Sequence, residues 1–121
     1  MKITNFSPSL ITPNAEEFIS IFEELGFERQ HTKEDIDSGK VTSVTMKDEN
    51  GNYFTVSGAP VPRDMLAVRM NVDNFEEAYE FLKSKGFVNT RGDERETTGN
   101  SISAYMLSPT GFAIVLTEHT K

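Results

Sequence analysis

Short stretches in which apolar and polar residues alternate recur along the chain, and this period of two is typical of strands that bury one face. They predict eight strands, at about 5–11, 28–32, 41–47, 53–57, 66–72, 88–90, 101–107 and 112–117. Two other stretches carry apolar residues every three to four positions and predict helices that end near Leu25 and Lys85. The apolar stripes of these helices are Phe18, Ile21, Phe22 and Leu25 in the first, and Phe75, Ala78, Tyr79, Phe81 and Leu82 in the second.

Both helices carry the same boundary signals. Asn14 and Asn74 are each followed by two glutamates, which suit an N-cap and the first turn of a helix. Gly26 and Gly86 follow the last apolar residue of each stripe and are expected as C-cap glycines.

The sequence repeats itself at an offset of sixty residues, with ten identical pairs where composition alone would give about four. Three of the pairs are glycines, at 26 and 86, 39 and 99, and 51 and 111. Because glycines mark positions with special backbone geometry, their coincidence indicates that the turns are repeated as well. Segments 48–51 and 108–111 are accordingly predicted to be equivalent hairpin turns.

Each copy therefore has the order strand, helix, strand, strand, strand. We expect one domain over 1–121, with module one at 1–59, a proline-containing linker at about 59–63, and module two at 64–121. A chain of 121 residues suits a single core.

Strand parity separates two faces of the predicted sheet. The even positions are apolar and form the predicted core: Phe6, Leu10, Val44, Met46, Phe54, Val56, Leu66, Val68, Met70, Val72, Ala104, Met106, Phe112, Ile114 and Leu116. The odd positions mix small hydroxyl side chains with two tyrosines and one arginine. This second face is either solvated, as one side of many antiparallel sheets is, or it cups a ligand.

Composition narrows the function. The net charge is −7 and no cluster of lysine or arginine exists, so nucleic acid and membrane surfaces are not expected partners. The absence of cysteine excludes disulfides, thiolate metal sites and thiol nucleophiles. No apolar run is long enough to span a bilayer and the first residues lack a secretory signal, so we expect a cytoplasmic protein.

The segments 73–78 (DNFEEA), 85–87 (KGF) and 108–112 (SPTGF), together with the repeat and the order of elements, resemble the vicinal oxygen chelate superfamily. This superfamily includes glyoxalase I, bleomycin resistance proteins and extradiol dioxygenases. The resemblance implies an α+β fold of two tandem βαβββ modules that form curved mixed sheets around a cleft, with one helix per module on the outer face. It also implies a homodimer.

Metal-using members of the superfamily carry ligands on the first and last strands of each module. On this sequence the four positions hold side chains that do not ligate metals: Ser7, Thr55, Ala67 and Val115. We therefore expect no metal and no cofactor. The two histidines, His31 and His119, lie far apart in the sequence and are not expected to form a metal site.

Arg69 is the leading candidate for ligand binding, since its guanidinium can bind an anionic or carbonyl-bearing group. The alternative is a structural salt bridge with an acidic neighbour. Tyr53 and Tyr105 are candidates for stacking or hydroxyl donation, or else for a dimer interface. Four further polar residues complete the candidate set: Ser7, Thr55, Asn71 and Ser103.

These observations favour a metal-free, glyoxalase-like or bleomycin-resistance-like protein that binds a small organic molecule, and not an enzyme. One alternative is a lyase or dioxygenase-type enzyme of the same fold with divergent catalytic residues. Another is a protein-interaction domain that uses the same sheet face.

Overall fold

The computed structural model describes residues 1–35 and 40–119. Two helices lie within these residues, α1 (Ala15–Glu24) and α2 (Phe75–Ser84). The strands are β1 (Ile3–Thr12), β2 (Glu28–Asp35), β3 (Lys40–Lys47), β4 (Tyr53–Gly58), β5 (Met65–Val72), β6 (Val88–Asn89), β7 (Glu96–Thr98), β8 (Ser101–Leu107) and β9 (Ala113–His119). Neither helix in the described residues is long and apolar enough to cross a membrane.

The chain divides into two compact units. The first unit is Ser7–Leu66, and the second unit combines Met1–Phe6 with Ala67–Lys121. Strand β1 begins in the second unit, where Lys2 and Asp73 are joined by two hydrogen bonds. The Lys2 amide donates to Asp73 Oδ1 over 2.6 Å, and the Asp73 amide donates to the Lys2 carbonyl over 3.1 Å.

The first unit has the strand order β2-β3-β4-β1, with β1 parallel to β4 and the other pairs antiparallel. Helix α1 packs on the apolar face of these strands. Ile19 of this helix is fully buried, and the Phe22 ring lies 4.4 Å from the Phe54 ring. The buried strand residues of this core are Val44, Met46, Phe54 and Val56.

The second unit has the strand order β5-β9-β8-β6, and the short strand β7 also pairs with β8. Strand β5 is parallel to β9 and the other pairs are antiparallel. Helix α2 packs on the apolar face of these strands. The rings of Phe75 and Tyr79, both on α2, stack with their centres 5.5 Å apart. The buried residues of this core are Met70, Val72, Phe75, Ala78, Tyr79, Leu82, Ala104, Met106, Ile114 and Leu116.

The strand pairing of one module recurs sixty residues further on in the other. Ser9 pairs with Thr55 and Arg69 with Val115, so the parallel pairs share one register. The antiparallel pairs agree as well, since Met46 faces Phe54 and Met106 faces Ile114. The predicted α+β class and the two βαβββ modules are thus confirmed, although Gly39 of the repeat lies outside the described residues.

The helices begin and end at the residues that the sequence predicts, but the two N-caps differ in their hydrogen bonds. Gly26 and Gly86 follow the helices with φ of 107° and 97°, the left-handed conformation that glycine adopts most easily. The Asn74 side chain caps α2 by accepting from the Glu77 amide over 3.1 Å. Asn14 is the N-cap residue of α1, as predicted, but its side chain makes no capping hydrogen bond. Its amide instead donates to Thr12 Oγ1 over 3.0 Å.

Several predicted core residues are exposed: Phe6, Leu66 and Phe112 on or beside strands, and Ile21, Leu25 and Phe81 on helices. The parity of a strand residue determines on which face of the sheet its side chain lies. It does not determine whether that part of the face is covered by a helix, and each helix has only ten residues. In α1 the residues that pack on the core are 15, 18, 19 and 22, not the predicted 18, 21, 22 and 25. The two sets have the same helical spacing, so the sequence pattern does not distinguish between them.

Candidate functional site

Four of the predicted ligand-binding residues lie on one face of the second unit. Residues paired across neighbouring strands point to the same side of a sheet. One row across β5, β9 and β8 is Arg69, Val115 and Tyr105. The next row is Asn71, Thr117 and Ser103. We call these six residues the polar face of the second unit.

Arg69 is a half-buried cation that has no partner among the residues that the structure describes. No hydrogen bond or ion pair joins its guanidinium to another residue in the part of the chain that the structure describes. Burial lowers the pKa of Arg69, but arginine remains protonated at neutral pH. The salt bridge considered as an alternative role is therefore not observed among the described residues. A half-buried charge is only partly solvated, and an anion or strong acceptor beside it would be stabilising.

Two buried oxygen atoms of the polar face also lack hydrogen-bond partners in the described part of the chain. Asn71 Oδ1 and Thr117 Oγ1 are inaccessible to solvent and accept or donate no hydrogen bond among the described residues. Asn71 and Thr117 are directly paired across β5 and β9, so their side chains are neighbours on the polar face. Unpaired buried polar atoms are uncommon in folded proteins and call for an explanation.

Tyr105 and Ser103 complete the polar face on β8, and both are half-buried. Burial raises the pKa of the Tyr105 hydroxyl, so the phenol is neutral at physiological pH and can donate a hydrogen bond. The Tyr105 ring lies in the same row as Arg69, with Val115 between them, and offers a flat apolar surface on this face.

The predicted residues Ser7, Tyr53 and Thr55 lie in the first unit. Ser7 and Thr55 are buried, and Thr55 Oγ1 has no hydrogen-bond partner among the residues described. Tyr53 is half-buried, and the ammonium of Lys47 lies 5.4 Å from the centre of its ring. One face of this ring is thus already occupied by a cation.

The four positions at which the superfamily carries metal ligands do not fit a metal. Their side chains offer two hydroxyls, a methyl group and an isopropyl group: Ser7, Thr55, Ala67 and Val115. A divalent ion needs imidazole, carboxylate or thiolate donors, and these residues supply none. No cluster of three or more potential ligands occurs among the described residues, and the side chain of His31 lies outside them.

Two residues of this region, Thr117 and Glu96, are not among the candidates predicted from the sequence. Thr117 was placed on the polar face by its parity, but nothing in the sequence shows that its hydroxyl lacks a partner. Glu96 faces Ser103 across β7 and β8 and extends the row of Asn71 and Thr117 by one strand. Strand β7 has only three residues and was not predicted, so no sequence signal placed this carboxylate beside the face.

A separate open cavity of about 620 Å³ lies in the first unit, between the end of α1 and the β3–β4 turn. Its lining includes Glu28, Asp48 and Glu49. The Asp48 carboxylate is engaged in the turn, and the hydrogen bond from the Asn52 side chain is the main cause that lowers the pKa of Asp48. None of the predicted ligand-binding residues lines this cavity.

Comparison with solved structures identifies the fold. A methylmalonyl-CoA epimerase is 21% identical, with a TM-score of 0.68 over 95% of this chain and 94% of that one. A glyoxalase/bleomycin resistance protein/dioxygenase superfamily member from Vibrio splendidus 12B01 is 16% identical, with a TM-score of 0.64 over 97% and 99%. The Mn(II)-bound glyoxalase from Novosphingobium aromaticivorans is 23% identical, with a TM-score of 0.60 over 99% of this chain and 38% of that one.

The chain therefore has the fold of the glyoxalase, bleomycin resistance protein and dioxygenase superfamily, the vicinal oxygen chelate fold. Protein-family profiles give no match to the sequence, and neither does a comparison with curated protein sequences. The likeness is one of fold, and the chemistry of the site has to be argued from its own residues.

Proposed function

We propose that this protein binds a small organic molecule on the polar face of the second unit, without a metal ion, and that Arg69 holds an anionic or carbonyl group of the ligand. The observation that carries the proposal is the half-buried guanidinium with no partner among the described residues. A ligand that supplies the missing acceptor would offset the cost of burying this charge. The corresponding face of the first unit, with Ser7, Tyr53 and Thr55, is a second candidate surface.

The four non-ligating positions support binding without metal, since Ser7, Thr55, Ala67 and Val115 cannot replace histidine and carboxylate donors. The repeated strand register supports an origin of the two modules by internal duplication. Conversion of a bound compound into a product would instead place the protein with the enzymes of this fold.

The test is a thermal-shift screen of small carboxylates and carbonyl compounds, followed by calorimetry on each compound found. Arg69→Ala should weaken binding by about 1.5–3 kcal/mol, since a charge-assisted hydrogen bond is lost. The variant should remain folded, because Arg69 is not one of the buried residues that form the apolar core.

Ile114→Ala is the matched control, since Ile114 is buried on the other face of the same sheet. It should lower the free energy of unfolding by about 2–5 kcal/mol while the folded fraction keeps its affinity. Unchanged ligand affinity in Arg69→Ala would refute the proposal. Unfolding of Arg69→Ala would show that the arginine is a structural residue.

A further inference from the structure

We infer that Asn50 is a site of spontaneous deamidation, and that the turn closed by Asp48 controls the rate of this reaction. The inference concerns a chemical modification of the first unit and does not depend on the proposed function. Two observations carry it: the residue that follows Asn50, and the hydrogen bonds that the reaction has to break.

Asn50 combines a reactive sequence with exposure to solvent. It is the only one of the eight asparagines in the chain that is followed by glycine. Asn50 and Gly51 are both exposed, in the turn between β3 and β4. Because glycine has no side chain, nothing hinders the approach of its backbone nitrogen to the side chain of the preceding residue. The other seven asparagines are each followed by a residue with a side chain.

The reaction exchanges one nitrogen for another within the chain and then consumes water. The backbone nitrogen of Gly51 bonds to Cγ of Asn50, and its hydrogen passes through water to the side-chain nitrogen, which leaves as ammonia. Water then opens the five-membered ring at either carbonyl carbon and gives aspartate or isoaspartate. Nothing is oxidised or reduced. The new carboxylate joins Asp48 and Glu49 in the lining of the open cavity of the first unit.

The closed turn opposes the first step of this reaction. The Gly51 amide donates to the Asp48 carbonyl over 3.2 Å, and it cannot keep this bond while it loses its hydrogen. The Asp48 carboxylate holds the same turn with three further bonds. Its Oδ1 accepts from the amides of Asn50 and Asn52 over 3.0 and 2.8 Å, and its Oδ2 accepts from the Asn52 side chain over 2.8 Å. The reaction therefore proceeds from an opened turn, and its rate follows the population of the opened state.

Isoaspartate at position 50 would lengthen the main chain of the turn by one carbon atom. The turn joins β3 to β4, where Met46 faces Phe54 in the core of the first unit. The bonds that close the turn cannot all keep their geometry around the longer chain. We therefore expect chains that carry isoaspartate to unfold at a lower temperature than unmodified chains.

The experiment incubates the folded chain at mildly alkaline pH and follows every asparagine by peptide mass spectrometry. Deamidation raises the mass of a peptide by about 1 Da, and chromatography separates the aspartate product from the isoaspartate product. We expect Asn50 to be modified before any of the other seven asparagines. Earlier modification of another asparagine would contradict the assignment of Asn50 as the site.

Two variants separate the closure of the turn from the charge of the carboxylate. Asp48→Ala removes three hydrogen bonds, so Asn50 should deamidate at least about threefold faster than in the wild type. Asp48→Asn removes the charge but keeps an oxygen that can accept from both backbone amides, so its rate should stay within about twofold of the wild type. Thermal unfolding establishes that both variants are folded. Equal acceleration in the two variants, or none in Asp48→Ala, would overturn the role assigned to Asp48.

A second measurement uses the wild-type chain alone. Unfolded in guanidinium chloride at the same pH, it should deamidate at Asn50 faster than the folded chain, because the turn is then open in every molecule. Equal rates in the folded and unfolded chains would contradict control by the turn. If Asn50 stays unmodified in the folded chain while the unfolded chain reacts to completion, Asn50 is not a site in the folded protein.

Discussion

Three threonines are buried among the described residues, and they differ in whether their hydroxyl has a hydrogen-bond partner. Thr12, Thr55 and Thr117 are 0%, 0% and 3% exposed. Thr12 Oγ1 donates to Asp64 Oδ1 over 2.6 Å and accepts from the Asn14 amide over 3.0 Å. The hydroxyls of Thr55 and Thr117 have no partner among the described residues. The three therefore form a matched set for measuring the cost of an unsatisfied buried hydroxyl.

Thr117→Val and Thr55→Val should each raise the free energy of unfolding by about 1 kcal/mol, because valine keeps the shape of threonine and removes the unpaired hydroxyl. Thr12→Val should lower the free energy of unfolding by about 1–3 kcal/mol, since it leaves the Asp64 carboxylate without its donor. Urea denaturation of the three variants is the measurement. A loss of stability in Thr117→Val comparable with that in Thr12→Val would mean that its hydroxyl is bonded in the folded protein.

At the scale of elements, the two helix starts provide a second matched pair. Asn74→Ala should destabilise the protein by about 0.5–2 kcal/mol, because the Glu77 amide loses the acceptor that caps α2. Asn14→Ala, at the equivalent position sixty residues earlier, should change the stability by only a few tenths of a kcal/mol, since its side chain makes no capping bond. Thermal unfolding compared between the two variants measures the difference. Equal losses would contradict the difference in capping that the structure shows.

The elements also show what the sequence can and cannot predict here. Strand β8 was predicted at its observed bounds, and the hairpin turns at Gly51 and Gly111 close with the expected bonds to Asp48 and Ser108. The stripe of α1 was misplaced, because two overlapping sets of apolar residues fit the same helical period. Strand β7 was missed, because three residues carry too little pattern to indicate a strand.

At the scale of the whole molecule, we predict a homodimer that carries no stoichiometric transition metal. Native mass spectrometry of the protein, purified without added metal or a metal-binding tag, should give twice the chain mass with no metal adduct. Large exposed apolar side chains such as Phe6, Leu25 and Leu66 offer surface that a second copy could bury. A single-chain mass at micromolar concentration would contradict the dimer. One tightly bound zinc, nickel, manganese or iron ion per chain would contradict the absence of metal.

The sequence predicts which candidate residues share one face of the sheet. It does not predict which of their polar atoms lack hydrogen-bond partners. Parity placed Arg69, Asn71, Ser103 and Tyr105 on one side of a sheet, and the pairing of β5, β8 and β9 confirms that placement. Their hydrogen-bond state depends on contacts between residues far apart in the sequence. Whether Arg69 has a salt-bridge partner could therefore be seen only in the folded chain.

The two hairpin turns close in the same way at the same register. The amide of Asn52 donates to the Asp48 side chain, and sixty residues later the amide of Phe112 donates to Ser108 Oγ. In both turns the main chain also bonds back from the first to the fifth residue. Because segments 48–52 and 108–112 close with the same backbone bonds, we expect either to fit in place of the other, with loss of the Phe87–Phe112 ring contact where Asn52 replaces Phe112.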